Sequence, residues 1–122
     1  FDPDKAVSIR VKDDYTPSLY NDPKLVERVA GVLKKTLGDG NVVQAQPTMG
    51  GEDFSRFHRT ADKVPVMLFW LGAVSQEKYE ASQKPGGAPL PSLHSSSFAP
   101  DPDPTIATGV KTMTAAALDL LR

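Results

Sequence analysis

A chain of 122 residues is long enough for one domain and too short for two, and its 39% hydrophobic content supplies a core and excludes wholesale disorder. Fourteen basic against fifteen acidic side chains leave a formal charge of -1, without the clustered basic excess that a nucleic-acid surface needs. The absence of Cys excludes disulfide frameworks, thiol nucleophiles and every cysteine-based zinc or iron-sulfur site.

Val7, Ile9 and Val11 alternate with Ser8, Arg10 and Lys12, a period of two that predicts a strand with one buried face. Asp13 to Asn21 reads as a connector. Asp22 can cap a helix that opens on Pro23, where the missing N–H costs nothing. Leu25, Val26, Val29, Ala30, Leu33 and Leu37 then recur at spacings of three and four, while Glu27, Arg28, Lys34 and Lys35 lie away from that face. Lys34 and Lys35 suit the negative end of this helix, and Gly38 suits its left-handed terminator.

Val42 to Gln46 is a short predicted strand. Gly50 and Gly51 allow a close turn, and Glu52 and Asp53 precede a short helix on which Phe54 and Phe57 share a face at i, i+3. Val66 to Leu71 is uniformly apolar and predicts a strand covered on both sides, with Pro65 suited to its first position. Phe69 and Trp70 read there as core residues and not as base-stacking platforms, because no basic residues interleave with them. The whole apolar run from Val64 is far short of the roughly 20 residues that cross a bilayer. The segment from Ala73 to Pro91 reads as a variable loop, and residues 85 to 104 hold six prolines and two glycines, which rules out regular helix there. Asp103 can cap a last helix opening on Pro104, with Ile106, Val110, Met113, Ala117, Leu118 and Leu121 as its apolar stripe. Strands separated by amphipathic helices predict α/β layers, with the first strand forming the edge of a second unit.

Two His leave few routes to a self-contained metal site. His58 reads as a helix-end imidazole. His94, in Leu93-His94-Ser95, is either a plain loop histidine or a ligand, since imidazole binds zinc through one nitrogen when the other is oriented by an acceptor. Glu52 and Asp53 point in different directions on a helix, so they do not form an acid–base pair. One can face a cleft while the other caps the helix, and an ordinary acidic cap is the plain alternative. Ser92, Ser95, Ser96 and Ser97 surround His94 but sit in no nucleophile signature.

Taken in order, Tyr20-Asn21-Asp22-Pro23, Met49-Gly50-Gly51-Glu52-Asp53-Phe54-Ser55, Val64-Pro65 with its apolar run to Leu71-Gly72, Leu93-His94-Ser95 and Thr108-Gly109-Val110 resemble the carboxyl-terminal portion of the dinuclear-zinc amidohydrolase and metallopeptidase family, peptidase family M20. This family includes aminoacylases, hippurate hydrolases, glutamate-releasing carboxypeptidases and auxin-conjugate hydrolases. The Gly-Glu-Asp-Phe form is similar to that of the hippurate and auxin-conjugate branch. Val66 departs from the Gly that often follows Val-Pro in the family.

The resemblance implies an α/β fold, part of a three-layer zinc-peptidase-like catalytic domain, with a terminal strand from an α+β lid. Residues 1–15 would end the lid or dimerisation domain, and 16–122 would form the carboxyl-terminal half of the catalytic domain. It further implies amide hydrolysis of N-acyl amino acids or small peptides with two zinc ions in the complete enzyme. His94 would be the metal ligand from this half, with Glu52 and Asp53 as supporting residues. The general base and remaining ligands would lie in an amino-terminal half that is the chief expected partner. The piece alone would be inactive, with weak or no zinc affinity, and would leave an apolar face where that partner packs; a homodimer stays open. The opposing reading is a non-catalytic α/β interaction domain derived from the same fold. No secretory signal is visible. The expected location is the cytoplasm, with secretion or the periplasm left open because the chain opens on Phe1 and its amino terminus looks absent.

Overall fold

The computed structural model describes residues 7–122. Three α-helices, α1 (Pro23–Leu37), α2 (Gln76–Gln83) and α3 (Pro102–Leu120), are joined by extended segments and by two 3-10 helices, Asp39–Asn41 and Asp53–Arg59.

α1 forms as its residues dictate. The Asp22 carboxylate accepts from the Leu25 amide at 2.9 Å, and Pro23 occupies the first turn. Gly38 ends the helix at φ 89°, and its amide donates to the Lys34 carbonyl. Val29 and Leu33 are buried and meet Ala116 of α3, with Leu25, Val42, Met67 and Phe69 packed around them. Arg28 ties the two helices at the rim, donating to the Asp119 carboxylate at 2.7 Å. At half-exposed positions such a pair contributes at most about 1 kcal/mol.

The expected α/β fold is overturned: no strand or sheet exists among the described residues. A strand exists only as half of a hydrogen-bonded ladder, and none of the extended segments finds a neighbouring segment to pair with. At Val66–Leu71 the partner is a side chain instead. The Asn21 carboxamide donates to the Leu68 carbonyl at 2.8 Å and accepts from the Leu68 amide at 2.9 Å. Beside it, the Asp22 amide donates to the Val66 carbonyl. Asn21 thus imitates one residue of an adjacent strand. Val66 is buried, but Trp70, expected in the core, is 56% exposed. The alternating segment of Val7, Ile9 and Val11 buries neither face, with exposures of 85% or more. The expected strand at Val42–Gln46 is likewise unpaired; Val42 reaches the core and Val43 does not.

Two further departures concern helices. α2 falls where a loop was expected; Ser75 caps it by accepting from the Lys78 amide, and it buries no residue. α3 begins at Pro102, with Asp101 in the cap position instead of Asp103. Its stripe also faces the other way from expectation. Thr112 and Ala116 are the buried residues, whereas Ile106, Val110, Met113, Leu118 and Leu121 are exposed. Small residues let α1 and α3 approach closely. The Thr112 hydroxyl is accommodated there because it donates to the Thr108 carbonyl one turn earlier.

The chain exposes 10520 Å², whereas a compact monomer of 13.1 kDa exposes roughly 6,400 Å². The excess is rich in large apolar side chains. No described helix is long and apolar enough to cross a membrane.

Candidate functional site

The Gly50–Ser55 motif is held against the Tyr15–Ser18 connector. The Glu52 amide donates to the Pro17 carbonyl at 2.9 Å, the Arg56 guanidinium to the Tyr15 carbonyl at 2.6 Å, and Arg59 to the Ser18 carbonyl at 3.4 Å. This crossing explains Gly51: a Cβ there would lie 2.7 Å from the Thr16 carbonyl oxygen, whereas Gly50 faces open space.

Of the two acidic residues, one takes the cap that both sequence alternatives allowed. Glu52 is the N-cap of Asp53–Arg59, its carboxylate accepting from the Phe54 amide at 3.2 Å. Asp53 lies in the first turn and is exposed. Phe54 and Phe57 do share a face, with ring centroids 5.3 Å apart and planes tilted by 58°. Ser55 is buried at 3% exposure, and its hydroxyl has no hydrogen-bond partner among the described residues. Motif spacing gave no sign of that orphaned hydroxyl, because burial depends on tertiary packing.

His58 caps its own turn. Its Nδ1 lies 3.1 Å from the Val64 carbonyl, across a bend in which Lys63 takes φ 46°. His94 sits in a tight turn closed by the Ser95 amide on the Ser92 carbonyl, followed by the Ser97 amide on the Ser95 hydroxyl. Its imidazole is exposed. Of the surrounding serines, Ser95 lends its hydroxyl to the turn, and no Ser–His hydrogen bond forms among the described residues.

Asp101 was not singled out from the sequence, yet it joins two helices. Its carboxylate accepts from the Lys78 ammonium and, at 2.8 Å, from the Ser75 amide. The Lys78 hydrogen bond first, and the Ser75 amide second, hold its pKa below the ordinary carboxylate value. A serine cap with an aspartate 26 residues later carries no local pattern that would have revealed the contact.

The described residues bring no three His, Cys, Asp or Glu side chains together into a group that could hold a metal ion. A complete metal site therefore does not fit on these residues, and no catalytic step through a metal arises from them.

The acid-capped helical motif is thus pinned to the connector, and the exposed His94 turn follows later in the chain. Residues 5–89 match the profile of peptidase family M20/M25/M40, and the chain belongs to that family. It is 33% identical over 95 residues to thermostable carboxypeptidase 2 of Saccharolobus solfataricus, and 32% identical over 95 residues to thermostable carboxypeptidase 1 of the same organism. Each alignment covers 78% of this chain and 20% of the relative. The chain thus spans about a fifth of the length of these curated relatives. No solved structure matches it.

Proposed function

We propose that the chain works as the carboxyl-terminal part of a metal-dependent amidohydrolase or peptidase that cleaves N-acyl amino acid or small peptide amide bonds. Family membership across residues 5–89 carries this reading. The carboxypeptidase relatives support hydrolysis of an amide at a carboxyl terminus, and the Gly51-Glu52-Asp53-Phe54 form supports the N-acyl amino acid branch. Residues 1–15 are assigned to the end of a lid domain and 16–122 to the catalytic domain.

In this reading His94 supplies one ligand to a site for two zinc ions. The other ligands and the general base come from polypeptide outside these 122 residues. The exposure of His94 supports that role, since an imidazole already committed to internal hydrogen bonds would have to break them to bind a metal. Glu52, held by the Phe54 and Pro17 contacts, fixes the motif helix. Asp53, open in the first turn, is the freer carboxylate to support the site.

Calorimetric titration with zinc chloride tests the reading. The 122-residue chain is expected to bind zinc weakly or not at all, and to show no hydrolysis of N-acyl amino acids. The polypeptide read from the gene in full is expected to bind two zinc ions and to hydrolyse N-acyl amino acids, and His94→Ala in it is expected to lose at least one ion. Hydrolysis by the 122 residues with no other polypeptide present would overturn the proposal, and so would full zinc stoichiometry in the His94→Ala protein.

A further inference from the structure

The histidine turn lies in a segment that little else holds. α2 buries no residue and packs against no other helix. Of residues 84–100, all but Gly87, Ser95 and Phe98 are exposed. Among the described residues, the stretch from Ala88 to Pro100 makes no hydrogen bond outside itself. Within itself it is well defined. The Ser95 amide donates to the Ser92 carbonyl at 3.0 Å and the Phe98 amide to the Ser95 carbonyl at 3.1 Å, while Pro85, Pro89, Pro91 and Pro100 each fix their own φ. A segment stiff along its length and untied along its sides takes its position from its two ends.

Both ends lead to one residue. The leading end continues from α2, where the Gly87 amide closes on the Lys84 carbonyl at 2.8 Å. The trailing end is Asp101, the cap position of α3. Its amide donates to the Ala73 carbonyl at 2.8 Å, one carboxylate oxygen accepts from the Ser75 amide at 2.8 Å, and the other accepts from the Lys78 ammonium. Upstream of Gly72 the chain already rests on α3, with Leu71 against Gly109. Beyond Gly72, the one further hydrogen bond to α3 among the described residues runs from the Thr105 hydroxyl to the Gly72 carbonyl at 3.5 Å, longer than such bonds ordinarily are.

We infer that Asp101 is the positioning residue of the histidine loop: by holding Ser75 and Lys78 to the start of α3, it fixes α2 and the base of residues 84–100, and with them the place of His94. Asp101 makes no hydrogen bond to His94 or its turn, and acts on them through the loop. Its bearing on catalysis rests on the reading of His94 as a site residue. An ion pair as open to water as Lys78–Asp101 adds little to overall stability. Its loss should therefore show in the position of the loop and not in the α1–α3 core.

The chain has no Cys, so spin labels can be placed at chosen pairs of positions. Lys34→Cys with Ser96→Cys spans α1 and the histidine loop, and Lys34→Cys with Lys111→Cys spans α1 and α3 alone. Double electron–electron resonance on the 122-residue chain is expected to give one narrow distance peak for each pair. Asp101→Ala is expected to abolish the peak of the first pair and leave the second as it was. Asp101→Asn keeps an acceptor for the Ser75 amide and should fall between. An unchanged first pair in Asp101→Ala would overturn the inference, and so would a broad first pair in the parent chain. Should Asp101→Ala disturb the second pair too, Lys78→Met removes only the ammonium; it is expected to broaden the first pair alone, and an unchanged first pair there would count against the inference equally.

In the polypeptide read from the gene in full, Asp101→Ala is expected to lower kcat for N-acyl amino acids roughly 10-fold or more. Leu33→Ala, a core change remote from the loop, is expected to leave kcat unchanged. Equal losses in the two variants, or none in either, would overturn the positioning role. The distances require neither metal nor hydrolysis. A full polypeptide without hydrolase activity would sink the functional reading, and the distances would still decide whether Asp101 holds the loop.

Discussion

Leu33 and Gly51 are demanding for opposite reasons. Leu33 is 5% exposed at the α1–α3 contact, so Leu33→Ala removes apolar burial and leaves a void. The expected loss is about 2–3 kcal/mol, at the low end for buried leucines because the surrounding core is small. Gly51 is demanding through space: its missing Cβ admits the Thr16 carbonyl. Gly51→Ala is expected to cost about 1–3 kcal/mol by forcing the connector away from the motif, and Gly50→Ala much less. Urea unfolding of the three variants tests both expectations, and a harmless Gly51→Ala would mean that the crossing yields easily. The sequence offered small residues for a close turn at 50 and 51 but not which of them the fold requires, since only the crossing chain distinguishes them. It likewise left Glu52 and Asp53 with cap and cleft roles to share, and the Phe54 amide resolved the cap in favour of Glu52.

The helices differ in how openly their residues announced them. α1 has a capping Asp22, a first-turn proline, a wide apolar face, terminal lysines and Gly38, and all of these signals agree. α2 has only good helix formers and a serine cap. It buries nothing, so hydrophobic periodicity was silent. What holds it to α3 is Asp101, and that tie is pH-dependent. A carboxylate whose folded pKa lies below its unfolded value contributes fully above the unfolded value and loses the contribution as pH falls through the folded one. The Lys78–Asp101–Ser75 link is therefore expected to be intact at neutral pH and to fail below the ordinary value of 3.8. Hydrogen exchange of the α2 amides is expected to show protection that falls away in acid. In Asp101→Asn, that protection should already be reduced at neutral pH and should no longer vary over this range. An unchanged acid profile in the variant would remove Asp101 from this role.

At the scale of the whole molecule, exposed surface dominates. The folded chain already shows 10520 Å² to solvent, so unfolding uncovers less new area than it would in a compact domain. The urea m-value scales with that area and is expected below about 1 kcal/mol/M. Dyes that bind apolar surface are expected to bind the native chain. An m-value typical of a compact domain of this length would mean that the exposed stripes close up in solution.

The residues by themselves determined the family, α1 with both of its ends, the shared face of Phe54 and Phe57, and the acidic cap of the helix they ride on. These features are local or depend on the order of short motifs, so neighbouring residues suffice to specify them. Tertiary structure decided the rest. The alternating segment Val7–Val11 and the apolar run Val66–Leu71 have strand-like patterns, but a strand also needs a partner's N–H and C=O groups, and here Asn21 alone supplies them to Leu68. The wide apolar row on α3 looked like its core face, yet close approach to α1 selected the small residues Thr112 and Ala116 instead. Periodicity marks which side chains prefer to leave water. Which of them do so depends on the polypeptide that comes to meet them.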